Sequence, residues 1–138
     1  MSIRIGVFTS VAAACFALGA SAATALPPLS ENERVRAEFL AAAVGDEIRK
    51  NCPTISARFW RVYRRAGQLE DYARSLGYSD AEIDAIREDA AAKAQLKAMR
   101  DAYLQKAGVT KGDPDSYCRL GLAEIEKNSL TGYLLRAN

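Results

Sequence analysis

One covalent possibility constrains this chain more than any periodicity does. Outside its first 25 residues it carries two cysteines, Cys52 and Cys118, so a disulfide there has a single possible pairing. The third cysteine, Cys15, lies in an opening segment that reads as a secretory signal. Arg4 gives the positive start, Ile5 to Leu18 the short apolar run, and Ala20-Ser21-Ala22 or Ala23-Thr24-Ala25 the small-residue cleavage site. The expected products are a leader over 1–25, cut after Ala22 or Ala25, and one domain over 26–138. The run falls short of the roughly 20 apolar residues that a spanning helix needs, so no transmembrane segment is expected after cleavage. A lipid-attachment role for Cys15 is disfavoured because Phe16 and Leu18 continue the apolar stretch where a lipoprotein turns polar. Export places the chain in the periplasm, where disulfides persist.

Composition removes several chemistries. The 138 residues contain no histidine, which takes away the commonest general base near neutral pH and the commonest zinc ligand. Serine–histidine and cysteine–histidine catalysis are excluded, and so is haem attachment through Cys-x-x-Cys-His; no Gly-rich phosphate loop or dinucleotide fingerprint is present. No metal and no cofactor are therefore expected, and chemistry would fall to carboxylates, Lys, Tyr and Arg. The formal net charge is +2, and the leader removes Arg4 but no acid. That balance argues against bulk electrostatic capture of nucleic acid or anionic lipid, which calls for a strongly basic face.

Helical signals run through the remainder. Leu26-Pro27-Pro28-Leu29 is a stiff lead-in, and Ser30 with Glu33 has the spacing of a capping box. Val35, Phe39 and Ala42 make one apolar stripe of the first helix, and Leu40, Ala41, Val44, Ile48 and Cys52 make another, until Cys52-Pro53 ends it. Gly45 inside that helix suggests close approach of a neighbour. Thr54 or Ser56 is the expected cap of a second helix that buries Phe59, Val62, Ala66, Leu69 and Ala73 and stops at Gly77. Ser79 and Glu82 form a further capping box, and Asp89 can start a fresh helix. Asp113-Pro114 reads as an N-cap with proline in the first turn, before a face of Cys118, Leu122 and Ile125. Asn128 and Ser129 read as a stop and a new cap, and Leu134-Leu135-Arg136 as a helix over the core edge. No strand-like alternation is visible. The expected fold is all-α, a compact bundle of five or six helices tied by one disulfide. In the loop-entropy account a bond closing roughly 65 residues stabilises the fold by about 4 kcal/mol.

The densest basic and aromatic run is Arg58-Phe59-Trp60-Arg61-Val62-Tyr63-Arg64-Arg65. Helical projection lays Arg58, Arg61, Arg64 and Arg65 along one flank and turns Trp60 away from the Phe59 and Val62 face. An exposed Trp beside arginines suits a carboxylate, a phosphate or a sugar-like ring. The plainer alternative packs Trp60 under another helix and pairs the arginines with Asp46, Glu47 or Glu70. Asp46 and Glu47 are sequence neighbours that diverge by about 100° on a helix, so they do not make a catalytic carboxylate pair. Tyr117 and Tyr133 are expected to be packed aromatics with wet hydroxyls.

The run from Leu26 to Val35, the block from Ala43 to Arg58 with its Asn51-Cys52-Pro53 centre, and Ser116-Tyr117-Cys118 carry a resemblance. In these residues the chain resembles a domain-of-unknown-function family of small exported proteins from alphaproteobacteria. The resemblance implies a small exported helical domain and transfers no activity and no functional residue. The sequence thus points to a non-catalytic domain that binds an unknown protein or envelope component, with Arg58, Trp60, Arg61, Arg64 and Arg65 as contact residues. The alternatives are a small periplasmic chaperone or inhibitor, or an enzyme on envelope polymers using carboxylate or Tyr chemistry.

Overall fold

A computed structural model of the chain describes residues 24–138, so the leader reading and Cys15 lie outside the described residues, apart from Thr24 and Ala25 at its end. The described residues form six α-helices in the order α1 (Glu33–Asn51), α2 (Phe59–Ser75), α3 (Asp80–Glu88), α4 (Ala90–Lys106), α5 (Pro114–Glu126) and α6 (Leu130–Tyr133). Two short strands, β1 (Ile55–Ala57) and β2 (Leu135–Ala137), pair antiparallel with Ser56 opposite Arg136. The fold is helical and compact, as the periodicity predicts, with that ribbon added.

The local signals that place helix ends are mostly those read from the sequence. The Ser79–Glu82 capping box is complete, Asp89 accepts from Ala92 N at 2.8 Å, and Asp113 and Ser129 cap α5 and α6. Gly77 has φ +98° and Asn128 φ +49°, the left-handed stops expected there. Two starts differ. Leu29–Glu31 is a turn of 3₁₀ helix, and Asn32 rather than Ser30 caps α1 through its side-chain oxygen to Val35 N at 3.1 Å. Neither Thr54 nor Ser56 caps α2. The chain after Pro53 runs extended as β1, and α2 begins after Arg58 with no side-chain cap.

The main core gathers Val44, Ile48, Cys52, Ile55, Leu104, Tyr117, Leu120 and Leu135. Cys52 in this core is bonded to the partly buried Cys118 packed against it, with an S–S distance of 2.01 Å, which ties the end of α1 to α5 across 66 residues. A second, smaller core joins Leu29, Val35, Ala73, Tyr78 and Ile83 under α2 and α3. α5 buries Ser116, Tyr117, Leu120, Gly121 and Glu124, while Leu122 lies exposed, so its inward face is rotated from the expected Cys118–Leu122–Ile125 line. Leu134-Leu135-Arg136 leaves the helical pattern because Leu135 O and Leu134 O are claimed by Arg58 and the ribbon rather than by a next helical turn.

Glycines mark the closest approaches, but not at the expected position. A Cβ on Gly45 would meet Leu135 and Thr131 at 3.7 Å, ordinary contact. On Gly121 it would run into Ile55 Cδ1 and come within 2.7 Å of Ile48 Cγ2, and on Gly132 it would overlap the Glu124 carbonyl. α6 therefore lies on α5 backbone to backbone.

Candidate functional site

The first turns of α2 follow directly from a β-strand, and that connection decides where its side chains go. Arg58 N donates to Leu134 O at 2.7 Å and Arg58 Nε to Leu135 O at 3.0 Å, so the helix start is pinned to the C-terminal segment. Arg61 Nη1 donates to Tyr133 O at 3.1 Å, and its guanidinium stands 4.5 Å from the Tyr133 ring centroid. Arg61 thereby supplies a donor to a carbonyl that the end of α6 leaves without a helical partner, while Arg58 bonds to the first residue of β2. Arg65 makes a two-point ion pair with Glu38 on α1, at 2.9 and 2.5 Å. The hydrogen bond to Glu38 raises the Arg65 guanidinium above its ordinary value despite the opposing effect of burial. Arg58, Arg61 and Arg65 are anchors of α2 as much as surface charges.

What these anchors leave outside is an aromatic cluster. Phe59, Trp60 and Tyr63 are 69%, 67% and 73% exposed, with Trp60 and Tyr63 stacked at 5.9 Å between centroids and an interplanar angle of 23°. The Arg64 guanidinium sits 5.7 Å from the Trp60 ring, and that of Arg49 on α1 sits 5.9 Å from Phe59. Trp60 is open to solvent, as its projection predicts, and no described helix covers it. Phe59, expected in the core, joins it outside because the ribbon pins Arg58 and so sets the phase of the first turn.

The sequence spacing identifies the arginines but not all their neighbours. Arg136, brought alongside by pairing of β2 with β1, donates to Ser56 Oγ at 3.0 Å and lines an open groove with Ala57, Arg58, Phe59, Trp60 and Arg61. Its arrival has no local signal, since it depends on two segments 80 residues apart meeting as strands. Phe59 and Tyr63 were visible in the run, but which way they face was not.

The acids expected to neutralise the flank are engaged elsewhere. Asp46 pairs with Arg49 and Lys50, Glu47 with Arg100, and Glu70 with Arg74 and Arg87. Burial pushes the Asp46 carboxyl up, but the Lys50 hydrogen bond and the Arg49 charge outweigh it and hold it below the usual carboxylate range. Among the described residues Arg58, Arg61, Arg64 and Arg136 form no ion pair, and the surface they share with Phe59, Trp60 and Tyr63 is net positive. Among the same residues no group of three or more Cys, Asp or Glu side chains converges as metal ligands would. No described helix is long and apolar enough to cross a membrane.

One buried polar cluster escaped the sequence reading altogether. Glu124 on α5 is 3% exposed, and its carboxylate accepts the Tyr103 hydroxyl at 2.6 Å and the Ser129 hydroxyl. Its own backbone carbonyl faces Gly132. Burial and the hydrogen bond to Glu124 push the Tyr103 phenol up to about 12. The cluster joins α4, α5 and the α6 cap.

Comparison with known proteins brings one match. A family described as a family of unknown function, DUF5333, matches residues 27–136. No curated protein and no solved structure matches the chain.

Proposed function

On the premise that the chain belongs to DUF5333, a family whose description assigns no activity, we propose that it is a non-catalytic binding domain that engages an acidic protein segment through the start of α2. The observation that carries this reading is the exposed Phe59–Trp60–Tyr63 cluster set among Arg58, Arg61, Arg64 and Arg136 without a carboxylate partner. Trp, Tyr and Arg are the residue types that dominate binding energy at protein interfaces, because each buries a large flat area and keeps a polar edge. Here the patch is also held rigid, since two of its arginines are hydrogen-bonded to the C-terminal segment and Trp60 is stacked on Tyr63. Such preorganisation lowers the ordering cost of association.

The reading includes export to the periplasm. It is supported by the three-part leader and by a sulfur pair that suits an oxidising compartment. An enzyme would be favoured by acids, Arg and Tyr converging in a deep pocket; Glu38 and Glu70, which line a crevice between α1, α2 and α3, are each held by an arginine.

The test is in-cell crosslinking followed by recovery of the protein with its partner from periplasm, for the wild type and a Trp60→Ala, Arg64→Glu variant. Neither residue supports the core, so the variant keeps the wild-type melting temperature. Loss of a partner whose contact segment is acidic is the expected result. Equal recovery by the two proteins would remove this surface from consideration.

A further inference from the structure

The apolar face of α2 is longer than what covers it. α2 is fixed at its start by the C-terminal segment and at its end by Ala73 in the smaller core, but in between Val62 and Leu69 are only half-buried and Ala66 is exposed. A crevice of about 160 Å³ follows, between α1, α2 and α3. A second of about 240 Å³ lies between α1, α3 and α4, over Leu96 and Met99. Phe39, Ile86 and Arg87 line both, so the two adjoin side by side on α1 with Phe39 between them.

Charge at this groove is not symmetric. Of its lining cations, Arg65 is paired with Glu38, Arg87 with Glu70 and Asp84, and Lys93 with Glu88. Arg36 alone among them forms no ion pair among the described residues. Its Nη2 lies 3.7 Å from Met99 Sδ, which sets the guanidinium over the apolar floor of the second crevice. An exposed, unneutralised cation at the mouth of a mostly apolar slot matches a molecule with an anionic head and a hydrocarbon tail. From Arg36 to Ala42, which lines the far crevice, α1 rises about 9 Å, the reach of a medium-length chain.

We propose that this groove binds a free medium-chain carboxylate, its head on Arg36 and its tail passing Phe39 and Ile86 toward Ala66 and Leu69. Arg36 keeps the carboxylate at the water-facing end, so no charge has to be buried, while the tail covers the part of α2 left uncovered by the protein. This site is independent of the aromatic surface, since none of Phe59, Trp60, Tyr63 and Arg64 lines it.

Titration calorimetry with octanoate, decanoate and dodecanoate, each below its micellar concentration, tests the assignment. Binding should tighten about fourfold for each methylene added until the groove is full. Nonyltrimethylammonium, with the nine-carbon tail of decanoate and the opposite head, should bind at least tenfold more weakly than decanoate. Arg36→Glu should weaken decanoate at least tenfold, and Ala66→Trp should abolish it, with Trp60→Ala, Arg64→Glu binding it like the wild type. Equal affinity for the two head groups, no heat with any carboxylate, or binding to phosphatidylglycerol vesicles in place of the free acid would overturn the proposal. Because Ala66→Trp can disturb packing, Arg36→Glu at an exposed position is the deciding variant; unchanged decanoate affinity in it also overturns the assignment.

Discussion

The Tyr103 hydroxyl donates to Glu124 Oε1 at 2.6 Å, joining α4 to a carboxylate buried on α5. The bond needs a protonated phenol, because a phenolate beside Glu124 would set two negative charges together in a site with little water. Burial and that hydrogen bond raise the phenol from its ordinary 10.0 to about 12 in the folded chain. A group that holds its proton more tightly when folded contributes stability that is whole below the unfolded value and is lost as pH rises through the folded one.

Stability of the wild type is therefore expected to fall between pH 10 and about 12 in part through Tyr103. A Tyr103→Phe variant should be less stable than wild type by about 1–3 kcal/mol at neutral pH, since Glu124 loses a donor, and should melt at a lower temperature. The gap between the two proteins should narrow over that alkaline window. A constant gap through pH 12 would contradict the assignment.

Removing the Cys52–Cys118 bond is expected to lower unfolding free energy by about 4 kcal/mol, because the loop it closes is long and the unfolded chain gains that freedom back. Urea titration of the oxidised chain and of a Cys52→Ser, Cys118→Ser variant measures it. A midpoint unchanged by the double substitution would show that packing of Ile48, Ile55 and Leu120 alone holds α5 in place.

Glycine substitutions should separate approach from propensity. Gly121→Ala forces a methyl against Ile48 and Ile55 and is expected to cost about 1–3 kcal/mol. Gly132→Ala meets a backbone carbonyl, which cannot rotate away as a side chain can, and should cost more. Gly45→Ala meets only ordinary contacts, so the gain of up to about 1 kcal/mol in helix propensity should appear as a higher melting temperature. A destabilised Gly45→Ala protein would mean that α6 and β2 press on α1 more tightly than these distances allow.

The arginines of α2 should divide by what they touch. Arg58→Ala removes a donor to Leu135 O and Arg61→Ala a donor to Tyr133 O, so each should lower stability by about 0.5–1.5 kcal/mol and speed amide exchange in β2. Arg64→Ala, whose guanidinium stands by the Trp60 ring and makes no hydrogen bond or ion pair among the described residues, should leave both unchanged. Equal effects of the three would mean that the flank acts as one undivided surface.

The helix boundaries show how far local chemistry reaches. Ser79, Asp89, Asp113 and Ser129 cap the helices that follow them, and each is legible because a cap needs only a short side chain and a backbone N–H two or three residues on. Ser30 fails as a cap because the Pro27-Pro28 lead-in is held elsewhere: Tyr78 donates to Pro27 O across 51 residues, and the chain enters α1 one 3₁₀ turn later. That distant bond leaves no trace near Ser30.

By itself the sequence determined the helical class, the cysteine pair and the arginine–aromatic run, since periodicity, residue counts and local spacing are properties of neighbouring positions. Tertiary structure decided that Ile55–Ala57 would pair with Leu135–Ala137, that Arg58 and Arg61 would be drawn to the last carbonyls, and that Phe59 would face water beside Trp60. It also decided that Glu124 would be buried with Tyr103 and that α2 would leave its middle uncovered. Each depends on segments far apart in the chain competing for the same backbone groups and the same apolar surface, and that competition is settled only when they meet.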